Sequence, residues 1–221
     1  MNYFSNGKRG LHRVNFIPLY VYKPVGFLKP DRLNFKTMSK TAIVLGATGL
    51  VGGKLLGMLL NEADYEKIKL FSRSSVTISN PKIEEHLGDL FQIERFTEDF
   101  TGDVVFCCIG TTKANTPDKE IYKKIDHGIP VQAAEIAKKN GIPMFQVISA
   151  MGANPTSSTF YNKVKGEMER DVLEVGVQQT FIFQPSLIGG NRTEKRFGER
   201  MAQIFMSIFS FLIPKKYRII E

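Results

Sequence analysis

Paired cysteines, clustered histidines, long apolar runs and early acidic residues are all scarce in this sequence, and each shortage removes a class of protein. Only two cysteines occur, Cys107 and Cys108, adjacent in one apolar run; neighbours on a strand point to opposite faces, which argues against a structural disulfide. That pattern predicts a reducing environment and a cytoplasmic location. Three histidines are too few and too scattered for a metal constellation, so no metal is expected. His127, beside Asp126 at a helix start, reads as a polar surface or cap residue. The longest apolar stretch, MAQIFMSIFSFLI over Met201–Ile213, falls short of the roughly eighteen residues of a membrane-spanning helix. Near the N-terminus NFIPLYVY is short, broken by proline and followed by no small-residue cleavage pattern, so it does not read as a secretory signal.

Acid is nearly missing from the first 40 residues, where eight Lys/Arg stand against Asp31 alone, while the other 22 Lys/Arg face 21 Asp/Glu. The formal charge of +8 therefore lies almost wholly in that segment, and the rest of the chain offers no basic surface for a nucleic acid. Residues 1–37 lack any period of 2 or 3.6 and are expected to be a basic, disordered extension; Met38 opens a single domain over 38–221.

What is present is an alternation. Strand-length apolar runs at 42–45, 68–71, 104–109, 145–148 and 181–183 are separated by helical patterns at 50–61, 121–140 and 160–175. Strands alternating with helices predict an α/β fold, and runs apolar throughout predict strands covered on both faces. The expected architecture is a doubly wound parallel sheet with its ligand crevice at the carboxyl ends of the strands.

IVLGATGLVGGKLLGML places Gly46, Gly49 and Gly52 between the first strand and the first helix. Glycine serves a tight turn at Gly46, close approach of a pyrophosphate at Gly49 and close helix packing at Gly52, with the open amides of the helix start facing the anion. The second strand ends KLFSRSS, so Ser72 and Arg73 stand where an acidic residue would read the 2′-hydroxyl of NAD. Arg73 can meet a 2′-phosphate bidentately and Ser72 can donate to it, so NADP(H) is the preferred cofactor, with NAD(H) the alternative. In HLGDL, Asp89 either accepts from an adenine amino group or caps a helix.

In ISAMGANPTSSTFYNKVKGEME, Ser149 ends the strand over 145–148, and Tyr161 and Lys165 share one face of the following helix. An ammonium near a phenol lowers its pKa, so Lys165 would favour the Tyr161 phenolate, and Ser149 would hold a carbonyl or hydroxyl beside it.

This set resembles the short-chain dehydrogenase/reductase superfamily in its atypical, extended-like branch. More narrowly, CCIGTTK, SAMGANPTSSTFYNKVKGEMER and FQPSLIGG resemble the Tat-interacting-protein oxidoreductase group of NAD(P)H-binding proteins. The resemblance implies that Gly46, Thr48, Gly49, Leu50 and Val51 surround the pyrophosphate and that Ser72 and Arg73 meet the 2′-phosphate. It further implies that Asp89 and Leu90 flank the adenine, that Gly110, Thr111 and Thr112 line the ribose, and that Pro185, Ser186 and Leu187 contact the nicotinamide, with Lys165 on the nicotinamide ribose. Asp126 stands where many members have an asparagine of the proton relay, and QPS where arginine-proline-glycine is common. The family would also continue beyond KKYRIIE into a further helix.

The function expected is an NADP(H)-dependent oxidoreductase reducing a carbonyl on a small or lipophilic substrate. The alternative is a non-catalytic NADPH sensor, and a weaker third is a sugar-nucleotide epimerase or dehydratase, which needs a larger substrate domain. FGERMAQIFMSIFSFLIPKK reads as core or a pocket lid, or, with Lys215 and Lys216, as a dimer face or a membrane-surface contact through 201–216. A monomer or homodimer fits either.

Overall fold

A computed structural model describes the backbone of Tyr20–Val21 and residues 39–185. Strands β1 (Tyr20–Val21), β2 (Lys40–Leu45), β3 (Tyr65–Ser72), β4 (Ile83–Leu87), β5 (Val104–Cys107), β6 (Met144–Ile148) and β7 (Gln179–Phe183) form one sheet in the order β1-β7-β6-β5-β2-β3-β4. β2 to β7 run parallel, and β1 adds antiparallel to β7. The order reverses between β2 and β5, the switch point where a doubly wound sheet opens its crevice. β1 belongs to the segment expected to be disordered; the other residues of 1–37 lie outside the described residues.

Alternate residues of each inner strand feed two cores. Ile43, Leu45, Val105 and Cys107 pack with α3 (Ile129–Lys139) and α4 (Phe160–Val175), while Ala42, Val44, Val104 and Phe106 pack with α1 (Leu50–Asn61). The central strands are apolar on both faces, β2 from Ala42 to Leu45 and β5 throughout, because both faces are covered. β4, IEEHL, lies at the sheet edge and is charged, a composition that discourages pairing with another chain. Cys107 and Cys108 are free and join opposite cores, and burial pushes the Cys107 thiol up to about 11.

The helix expected over 121–140 is broken. α2 (Lys119–Lys123) runs into a π turn at Lys124–Gly128, closed by the Ile129 amide donating to the Lys124 carbonyl, before α3 begins. Pro130 is the cause: it has no amide to donate, and its ring would collide with the carbonyl of Asp126 four residues back, so the helix widens by one residue.

Glycines in α1 have opposite roles. A Cβ on Gly52 would come within 2.1 Å of the Gly46 carbonyl oxygen, whereas one on Gly57 would meet nothing within 4 Å. Gly52→Ala should therefore destabilise the fold by about 1–3 kcal/mol, and Gly57→Ala should stabilise it by about 0.5–1 kcal/mol. Urea denaturation of the two variants checks the pair; equal effects would mean that α1 does not sit as closely on the β2 turn as described.

Candidate functional site

The crevice opens where β2 ends. Gly46 turns the chain at φ +82°, a conformation that suits glycine, and a Cβ there would press on the Cys108 carbonyl at 2.9 Å. Gly49 precedes α1 without a side-chain cap, and no acid occupies the first turn. The first amides of a helix have no partner within it, so those of Leu50, Val51 and Gly52 remain free to face an anion. Thr48 and Leu50 are exposed beside them, while Val51 packs partly against the α1 core. This cradle of backbone donors fits a pyrophosphate.

The adenine side differs in detail from the sequence reading. Ser72 is buried and its hydroxyl donates to the Ser74 carbonyl at 2.7 Å, so its hydrogen holds the turn that presents Arg73. Arg73 is exposed at the end of β3. Asp89 is a helix cap: Oδ1 accepts from the Phe91 amide at 2.9 Å at the start of the 3₁₀ helix Leu90–Phe96. Leu90 sits in the core, and the exposed neighbour Phe91 is the apolar side chain available there.

On the other side of the switch point, the loop after β5 is tied down over the crevice. Thr111 donates its amide to Asp126 Oδ2 at 2.7 Å, its carbonyl accepts from the Tyr122 hydroxyl at 3.2 Å, and its own hydroxyl pairs with Thr116 at 2.8 Å. Thr112 is exposed and its carbonyl accepts from the Asn115 amide at 3.0 Å. Gly110 lies over a charged pair: a Cβ there would be 3.5 Å from Asp126 Oδ1 and 3.9 Å from Lys165 Nζ.

That pair is Asp126 and Lys165, 2.9 Å apart, with side chains 1% and 5% exposed. Lys165 Nζ also donates to the Ile148 carbonyl at 3.4 Å, immediately before Ser149. Lys123–Glu167 at 2.8 Å and His127–Asp171 at 2.6 Å clamp the same widened helix to α4 on either side. The cap reading of His127 gives way to this tie.

Tyr161 departs from expectation. Its pKa is raised above the ordinary 10.0, first by burial and then by the Asp126 carboxylate. Asp126 already holds the Lys165 charge, so the ammonium does not favour a phenolate.

Ser149 is reached through a loop held at both ends. Its amide donates to the Phe183 carbonyl at 2.7 Å and the Met151 amide to the Pro185 carbonyl at 3.0 Å, joining the loops after β6 and β7. Asn154 donates its amide to the Asn162 carbonyl at 2.9 Å, and Gly166 lets this loop lie on α4, where a Cβ would come within 2.2 Å of the Asn154 carbonyl carbon. The buried Ser149 hydroxyl has no well-formed hydrogen bond, although it stands close enough to Glu169 to favour that carboxylate. Pro185 is the last described residue; Ser186, Leu187 and 201–216 lie outside the described residues.

Sequence reasoning missed Glu169 and Gln184. The Glu169 carboxylate accepts Gln184 Nε2 at 2.8 and 3.0 Å, and burial raises its pKa against the pull of Ser149, Gln184 and Lys165. The signal was in the spacing, because Tyr161, Lys165 and Glu169 follow one another at four-residue steps on one face.

An NAD(P)H-binding family pattern matches residues 46–203. Rat HTATIP2 is 32% identical over 178 residues, 79% of this chain and 73% of that protein. FMP52-1 of Scheffersomyces stipitis is 34% identical over 157 residues, 69% of each chain. The chain belongs to the atypical short-chain dehydrogenase/reductase group that includes HTATIP2 and FMP52. The Bordetella bronchiseptica enzyme WbmH, solved with NAD+, superposes with a TM-score of 0.59 at 16% identity over 75% of this chain and 63% of that one, a likeness of fold. The FMP52 relatives of S. stipitis and Candida albicans are named as mitochondrial, which overturns the plain cytoplasmic expectation for this group. Cysteine usage separates oxidising from reducing surroundings, and does not tell one reducing compartment from another.

Asp126→Ala leaves a buried ammonium without its counter-charge, so it should destabilise the fold by about 3–5 kcal/mol. A loss below about 1 kcal/mol in urea denaturation would mean that water reaches Lys165.

Proposed function

We propose that this chain is an NADP(H)-dependent reductase of carbonyls on small, uncharged or lipophilic molecules. What supports the reading is the placement of Ser149 just after β6, where the preceding Ile148 carbonyl accepts from Lys165 Nζ, with Tyr161 one turn before Lys165 on α4, across the switch point from an α1 N-terminus whose amides stand open. Reduced nicotinamide would supply hydride there. Tyr161 would give its proton to the carbonyl oxygen, Ser149 would position that oxygen with its hydroxyl, and Lys165 would meet the ribose hydroxyls. Lys165 is paired with Asp126 and Glu169 stands beside Ser149, so neither offers a carboxylate substrate a free positive charge. The exposed Arg73 supports NADP(H) over NAD(H).

A second reading, a non-catalytic NADPH sensor, draws on one specific observation: Tyr161 is made less acidic rather than more. The FMP52 names, together with the basic, acid-poor first 40 residues, support a mitochondrial place for this chain.

Calorimetric titration with NADPH and NADH, followed by a panel of ketones and aldehydes read at the NADPH absorbance band, separates the readings. Binding with turnover that Tyr161→Phe abolishes, at unchanged NADPH affinity, is the expected result; tight binding without turnover across the panel would replace the reductase by the sensor. Arg73→Ala should weaken NADPH about tenfold or more and NADH little, and equal weakening would remove the 2′-phosphate assignment.

A further inference from the structure

A phenol one helical turn from an ammonium is ordinarily drawn toward its phenolate, and the surroundings of Tyr161 reverse that balance. From α4 comes Lys165, one turn on, with Glu169 a further turn away beside Ser149. From the π turn comes Asp126, and from α2 comes Tyr122, a second buried phenol bonded to the Thr111 carbonyl. The other cations on α2 are engaged elsewhere, Lys119 over the Phe160 ring and Lys123 with Glu167. Asp126 Oδ1 lies 2.9 Å from Lys165 Nζ with both side chains excluded from water, while Oδ2 is held by the Thr111 amide. To Tyr161 such a pair presents a dipole and no net positive charge.

We propose that Asp126 is a positioning residue that fixes Lys165 and neutralises its charge, keeping Tyr161 a phenol, so that the site donates protons and serves carbonyl reduction rather than alcohol oxidation at neutral and alkaline pH. The proposal rests on the reductase reading. In reduction the carbonyl carbon takes hydride from reduced nicotinamide and the oxygen takes the Tyr161 proton, leaving an alcohol, oxidised nicotinamide and a phenolate that solvent reprotonates. The reverse reaction needs the phenolate at the outset, to accept the alcohol proton. The raised Tyr161 pKa has the direction this arrangement requires. Reduction should therefore persist as pH rises and fall only once pH passes that raised value, because the phenol is the working form.

The test is a pH titration of the full chain with carbon-13 at the tyrosine ζ position, read by NMR, with the Tyr161 resonance identified by its loss in Tyr161→Phe. Asp126→Asn leaves the ammonium uncompensated, so the Tyr161 acidity constant should rise about tenfold or more. Asp126→Asn combined with Lys165→Met removes both charges and should return the titration to within about threefold of the unmodified chain. An unchanged Tyr161 titration in folded Asp126→Asn would reduce Asp126 to a structural residue and overturn the proposal. If Asp126→Asn alone does not fold, the double variant decides: a Tyr161 markedly less acidic than in the unmodified chain would mean that Lys165 had been acting on it all along, which also overturns it. The NMR readout needs no turnover. The expected shifts without carbonyl reduction would leave the electrostatic role standing and sink the reductase reading, while reduction without the shifts would do the reverse.

Discussion

Two opposite charges buried at 2.9 Å, Asp126 and Lys165, organise the side of the crevice beyond the switch point. Neither can leave the pair at small cost, because each would then be a lone charge out of water. The pair therefore fixes everything bonded to it: the Thr111 amide and with it the loop after β5, the Ile148 carbonyl at the end of β6, and the widened helix that carries Asp126. Lys123–Glu167 and His127–Asp171 flank it as outer clamps between the same two segments. They are partly exposed, and pairs of that kind contribute far less than the buried one.

A sequence cause can be followed through to this geometry. Pro130 removes one helical hydrogen bond and pushes away the carbonyl of Asp126, the helix takes up a π turn, and the extra residue accompanies Asp126 turned inward to Lys165. On the facing side, Gly166 allows the loop from Ser149 to lie directly on α4, the helix that carries Tyr161 and Lys165. The widening of one helix and the missing Cβ of another thus set the site.

The sheet was legible in the sequence because its signal is strong and local. The central strands β2 and β5, buried on both faces, leave unbroken apolar runs, and α1 and α4 occupy the expected 50–61 and 160–175. β4 left no such run because an edge strand has solvent on one side and charge on its surface. The break at Lys124–Gly128 was hidden because the apolar period continues across it. Gly46 and Gly52 are needed for the reasons that their spacing gives, a left-handed turn and a contact too close for any side chain. Asp89 was ambiguous by residue type, and the structure settles it as a cap. The acidity of Tyr161 was misjudged because spacing shows which residues share a helix face and cannot show that Asp126, 35 positions earlier, holds the lysine.

The two sides of the crevice are consequently built from different materials. The phosphate cradle consists of backbone amides and glycines fixed by the strand-to-helix turn, and the turn itself, residues 46–52, holds no ionisable side chain. Across the switch point stand Tyr161, Lys165, Asp126 and Glu169, where burial raises the pKa of Tyr161 and of Glu169 and Asp126 is paired with Lys165. A change at Asp126 can therefore alter the surroundings of Tyr161 while leaving the dinucleotide cradle intact. That separation also explains why one sheet of this kind suits a catalyst or a binder alike: the cradle is common to both.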